Sequence, residues 1–153
     1  MSERKDALKE FVELAFSRLD RSMSQLTDEE LDWRACPESN SPRWVITHLA
    51  QEWNVYMPKI FAGDMHMKVE WPEGYVDKRS YSLEQIKGDM AKGRKIIVNG
   101  IDQLTPEAMA EEIPFFRGTR RRDSALLTFI SEIIHHEGQL ATMMGTIARQ
   151  KKE

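Results

Sequence analysis

Residues 123–149 read DSALLTFISEIIHHEGQLATMMGTIAR, and the reading of this stretch decides the fold. Leu126, Ile130, Ile133, Leu140, Met144 and Ile147 recur at steps of about 3.5 residues, which makes one apolar stripe along a long helix. The helix is expected to start near Asp123 or Ser124. It ends among Arg149, Lys151 and Lys152, whose charge suits the negative end of a helix dipole.

Three more helical stripes lie upstream. Leu8, Phe11, Val12, Ala15, Leu19, Met23 and Leu26 predict a first helix from about Arg4 to about Gln25. Thr27-Asp28-Glu29-Glu30 has the pattern of a capping box opening a short helical turn. A second helix begins sharply, with Ser41 as N-cap and Pro42 in the first turn. Trp44, Val45, Ile46, Leu49, Trp53, Tyr56 and Ile60 carry it to about Ala62, with a kink or an end expected at Pro58. A third begins at Ser82, capped with Gln85, and follows Leu83, Ile86, Met90, Ile97, Ile101 and Leu104. Thr105-Pro106-Glu107 starts a short extra turn.

Strand signals are weak. Met65–Glu70 alternates slightly and Glu112–Arg117 reads as a short extended piece, neither with a partner for a sheet. Four amphipathic helices in 153 residues predict an all-α fold, a four-helix bundle, in a single domain over 1–153. The linker Gly63–Tyr81 between helices two and three is long for a bundle loop, as expected of a crossover or a functional segment.

Composition narrows the function. With 22 Lys+Arg against 25 Asp+Glu, the net charge of −3 argues against a general nucleic-acid binder. A lone cysteine, Cys36, excludes an intrachain disulfide framework and a cysteine-rich zinc site. The charged N-terminus lacks the apolar core of a signal peptide, and no run approaches the roughly 18 apolar residues of a membrane span. A soluble cytoplasmic protein with no membrane partner is the expectation.

Polar residues on inward helix faces carry the chemistry. Glu132 and His136 stand four apart, one turn above the other on one face. A carboxylate and an imidazole so placed can both reach one ion at about 2.0–2.2 Å. A third ligand must come from another helix, and His48, in the apolar run Trp44-Val45-Ile46-Thr47-His48-Leu49-Ala50, is the natural candidate. Each residue also has a plain reading: His48 as a hydrogen-bonded core residue, Glu132 with His136 as a helix-surface pair. His135 points about 100° away from His136 and belongs to the rim, and His66 lies in the long loop. Glu132-Ile133-Ile134-His135 is the chain's single Glu-x-x-His, whereas a ferritin-like di-iron centre needs two such units plus two further glutamates. That centre is disfavoured.

At Pro42-Arg43-Trp44-Val45-Ile46-Thr47-His48-Leu49-Ala50 and His136-Glu137-Gly138-Gln139-Leu140 the chain resembles the DinB/YfiT-like superfamily, in helix order and spacing along its full length. The resemblance implies an up-down-down-up four-helix bundle, often a homodimer. It also implies one divalent metal, usually zinc or nickel, with positions left open for water or substrate. Carried over, the ligands are His48, Glu132 and His136. Glu132 departs from the commoner histidine and resembles the mycothiol-dependent maleylpyruvate isomerases. Two imidazoles and a carboxylate also suit manganese or iron(II). The superfamily includes thiol-dependent S-transferases and isomerases acting with bacillithiol or mycothiol. A divalent ion can acidify a thiol or a water, so a low-molecular-weight thiol transfer or a metal-assisted hydrolysis of a small-molecule substrate is implied. The three ligands would not be bases, and no catalytic residue is assigned. Gln139 or Glu52, four residues after His48 on the same face, would orient a ligand.

Arg117, Arg120, Arg121 and Arg122 form either a solvated loop or an anion clamp for a carboxylate or sugar-thiol. Duplex DNA binding through them is the weakest reading. Trp71 and Tyr75 are core residues or line a pocket mouth, and Cys36 is a nucleophile only if a histidine lies beside it. The alternative to an enzyme is a non-catalytic bundle acting through dimerisation or partner binding.

Overall fold

The computed structural model describes residues 3–152. Helix α1 (Glu3–Met23) buries Leu8, Val12, Ala15, Leu19 and Met23. A 3-10 turn follows at Asp28–Glu30 with the Thr27–Glu30 capping box in place. Glu30 also accepts from Lys151 Nζ at 2.5 Å, which ties this turn to the far end of the chain.

Helix α2 (Pro42–Gln51) starts where Ser41 accepts from the Trp44 N–H. It runs on through a π-helical turn (Glu52–Tyr56) into α3 (Met57–Ala62). The irregularity expected at Pro58 thus lies one turn earlier. Proline has no N–H for the carbonyl four residues back. The wider π ladder, with Met57 N–H on the Glu52 carbonyl, absorbs the lost bond before Pro58 is reached. Gly63, at φ 70°, closes α3 in the left-handed conformation.

No helix or strand is assigned between Gly63 and Leu83. Asp77, itself left-handed at φ 61°, pins this connection. Its carboxylate accepts from Ser41 Oγ at 2.9 Å and from Arg34 Nη2 at 2.6 Å, and its N–H donates to Thr47 Oγ1 at 2.9 Å. Tyr75 is 1% exposed and donates to Asp89 Oδ2, with Trp71 packed on its ring. Tyr75 is thus a core residue of the connection, and Trp71 is half-buried against it.

Helix α4 (Leu83–Gln103) carries the Ser82–Gln85 capping box, and α5 (Pro106–Ala110) is capped by Thr105. The all-α expectation then needs correcting. Strands β1 (Glu112–Phe115) and β2 (Gly118–Arg121) pair antiparallel, Glu112 opposite Arg121 and Phe115 opposite Gly118. The partner missing from the sequence reading is the segment directly after the turn. Helix α6 (Arg122–Gln150) follows without a break.

Helix α6 packs against α1 and α2, while α4 packs against α2 and the π turn. The contact at the π turn is close: a Cβ on Gly93 of α4 would lie 2.5 Å from Trp53 Cβ. Ile46, Leu49, Trp53, Ile97, Ile130 and Ile133 fill the centre with no exposed surface. No helix among the described residues is long and apolar enough to cross a membrane.

Candidate metal centre

The site forms where α2 meets α6. Their apolar stripes face each other, so the polar residues interleaved with them are carried to the same seam. His48 leaves the exposed edge of α2, half-buried, with its ring stacked on Trp44 at 4.7 Å between centroids and 12° between planes. Trp44 lies one turn before His48, which is why the rings overlap. From α6, the His136 ring meets the His48 ring edge-on at 4.7 Å and Trp44 at 5.6 Å.

His48, Glu132 and His136 each offer a ligand atom, and these atoms lie within 4.8 Å of one another. Glu132 Oε2 is 3.3 Å from His136 Nε2, with its side chain 39% exposed. His136 is 5% exposed. Burial holds its pKa below the ordinary value and the neighbouring His48 and His135 push the same way, against the Gln139 bond and the Glu52 charge. The ring is therefore neutral at neutral pH, the form a metal requires.

Gln139 contacts the His136 nitrogen that points away from Glu132. Its Oε1 sits 2.9 Å from His136 Nδ1, and in the tautomer where Nδ1 donates to it the Nε2 lone pair faces Glu132, the form a metal ligand needs. The Gln139 amide then donates to His135 Nε2 at 3.3 Å. On the other wall, Glu52 Oε1 lies 3.3 Å from His48 Nε2, while Glu52 Oε2 is buried with no hydrogen-bond partner among the described residues. A buried carboxylate oxygen with nothing to accept from is costly. Two convergent imidazoles, one carboxylate and a second buried carboxylate beside them form a donor set suited to a divalent cation.

Comparison with known proteins shows the family and the fold. The DinB superfamily model matches residues 12–140. The chain belongs to the DinB superfamily. Two solved structures share the fold at low sequence identity. A DinB-like protein from Bacillus subtilis superposes with a TM-score of 0.69 at 16% identity, covering 91% of this chain and 92% of that one. A conserved protein from Enterococcus faecalis gives 0.68 at 18% identity, covering 94% and 96%. No curated protein matches the chain.

The DinB chain does not bring the other predicted groups to the centre. Arg122 is buried, bonded to the Ile60 and Ala108 carbonyls and to Glu111. Arg121 pairs with Asp123, and Arg120 bonds Thr128 and lies over the Phe115 ring. Arg117 is exposed in the hairpin turn. His136 is fourteen residues beyond Arg122 on α6, roughly 21 Å along the axis. Cys36 is exposed in the turn before α2, bonded through its backbone to Ser39, and His66 is exposed in the long connection.

The sequence reading takes Trp44 only as part of the helix-two apolar run and His135 only as a rim residue. Trp44, four residues before His48, was open to the same i,i+4 argument that paired Glu132 with His136. His135, four before Gln139, was too.

Proposed function

We propose that this DinB-superfamily chain binds one divalent metal ion through His48, Glu132 and His136 and uses it as a metal-dependent enzyme. Zinc or nickel is the leading choice, with manganese or iron also compatible with the ligand types. The observation that carries the reading is the convergence of the three ligand atoms within 4.8 Å from two different helices.

The chemistry a divalent ion supplies at such a site is Lewis acidity toward a thiol or a water at neutral pH. The protein's own residues do the rest. Gln139 holds the His136 Nδ1 proton and so presents Nε2. Glu52 leans on His48, and the Trp44 face screens the His48 ring from solvent on one side. Reactions in keeping with this arrangement are a thiol-dependent S-transfer or isomerisation, or a metal-assisted hydrolysis, on a small-molecule substrate. A low-molecular-weight thiol is the proposed partner. The reading takes the whole chain as one cytoplasmic domain, an up-down-down-up bundle in a homodimer. Any anion-binding role of Arg117, Arg120, Arg121 and Arg122 would be separate from the centre.

One observation favours the rival reading of a non-catalytic bundle: both histidines already have polar partners, His48 in Glu52 and His136 in Gln139. Elemental analysis separates the two. Protein purified without a metal-affinity tag is expected to carry stoichiometric metal that His136→Ala loses. Absence of metal after reconstitution supports the non-catalytic bundle.

A further inference from the structure

Beside the centre, between the loop that precedes α2 and the outer face of α6, lies an open cleft of about 530 Å³. Gln139 and His135 belong to its wall, so the hydrogen bonds that set His136 reach directly into it. Trp33, half-buried, forms one side, with its indole N–H turned away to Gln150. Met143 and Ala35 add apolar surface. Among the described residues no Asp, Glu, Lys or Arg lines the cleft.

Beside the His135 ring and the Ser39 and Thr142 hydroxyls, its free polar capacity is that of two carboxamides. The Asn40 carboxamide lines the wall and makes no hydrogen bond within the protein among the described residues, leaving donors and an acceptor unused. Gln139 spends one N–H and one lone pair on the two histidines and keeps one of each. Thr142 donates to the Gly138 carbonyl and retains its acceptor capacity.

Gly138 points to the same cleft. It sits in the interior of α6, where glycine costs roughly 0.5–1 kcal/mol against alanine. A Cβ there would meet nothing within 4 Å, so no neighbour requires the residue to be small. The space left open is cleft space.

Resting on the metal-dependent reading above, we infer that this cleft binds the non-reacting part of the substrate, an uncharged amide-bearing group with an apolar face. Trp33 and Met143 take the apolar face, and Asn40 and Gln139 pair with the amide. An anionic group is disfavoured because no lysine or arginine lines the wall.

A matched pair of probes tests this, N-acetyl-leucine amide and the carboxylate N-acetyl-leucine. Each is titrated into the metal-loaded protein and into metal-stripped protein, followed by amide and side-chain NMR shifts, with metal content measured on every sample. Saturable shifts at Trp33, Asn40, Gly138 and Gln139 are expected with the amide and weaker ones with the carboxylate. Gly138→Leu is expected to abolish them while keeping its metal, unlike His136→Ala. Asn40→Ala, a second and milder variant, is expected to weaken amide binding about fivefold. Equal binding to Gly138→Leu, preference for the carboxylate, or no saturable shift with the amide overturns the inference. Should wild-type protein carry no metal, the metal reading fails, and the cleft still stands or falls on the shifts in metal-stripped protein.

Discussion

Replacing Gln139 with leucine removes the acceptor that holds the His136 proton without touching a proposed ligand. Gln139 Oε1 lies 2.9 Å from Nδ1, on a ring that is 5% exposed. Two effects follow. The buried Nδ1–H loses its partner, at a cost of about 1–3 kcal/mol. The ring is also freed to carry its proton on Nε2, the nitrogen that faces Glu132 across 3.3 Å. A tautomer with Nε2 protonated cannot ligate, so part of the metal-free population becomes incompetent. Together these should weaken metal binding about 10–100-fold, or roughly 1.4–2.7 kcal/mol. Zinc titration against a competing chelator measures the affinity. Imidazole 15N shifts in the metal-free protein read the tautomer, a signature that mere loosening of α6 would not give. Gln139→Glu, which keeps an acceptor, should retain the Nδ1–H tautomer. An affinity unchanged within about twofold, with the tautomer unmoved in Gln139→Leu, would refute the reasoning.

Two helical glycines should respond with opposite signs to alanine. Gly93→Ala drives a Cβ to 2.5 Å from Trp53 Cβ and should destabilise by about 1–3 kcal/mol, whereas Gly138→Ala meets nothing and should stabilise by up to about 1 kcal/mol in urea melts. Glu30 is held at a pKa of about 2, against 4.5 when free, by the Lys151 ammonium and the Thr27 hydroxyl and N–H. A depressed acid contributes stability that is complete above its unfolded value and lost as pH falls toward its folded one. The Lys151 side chain is 61% exposed, so screening reduces the contribution to about 1–2 kcal/mol at neutral pH. The stability gap between wild type and Glu30→Gln should close between about pH 4.5 and pH 2, and a gap that stays constant with pH would count against it.

Much of the fold was legible because helix chemistry is local. The stripe through Leu126, Ile130 and Ile133 and the two capping signals at Ser41–Pro42 and Ser82–Gln85 all sit where their elements begin or pack. The hairpin was not legible. Its turn is Phe116-Arg117, with Phe116 at φ 50°, and no Asn-Gly or Asp-Gly marks it. Its strands are held by what surrounds them, as Ile113 and Phe115 turn inward while the paired Gly118–Arg121 face stays exposed. The helix-two irregularity was legible from the N–H that Pro58 lacks, but not its place one turn earlier, where Gly93 approaches Trp53 closely.

The same division runs through the site. Periodicity placed Glu132 with His136 and His48 with Glu52, because both pairs are four apart on one helix. Nothing local fixed the meeting of α2 with α6, which follows from packing of the two stripes. Nor did any local signal show that Arg122 is buried and occupied elsewhere, since its partners Ile60, Ala108 and Glu111 lie outside α6.

The central claim is that three side chains from two helices hold one ion. X-ray absorption at the zinc edge of the metal-loaded protein tests it directly. The account predicts a first shell of nitrogen and oxygen at about 2.0–2.2 Å with the outer-shell scattering of two imidazoles, falling to one imidazole in His48→Ala. A shell without imidazole scattering, or one identical in wild type and His48→Ala, would contradict it.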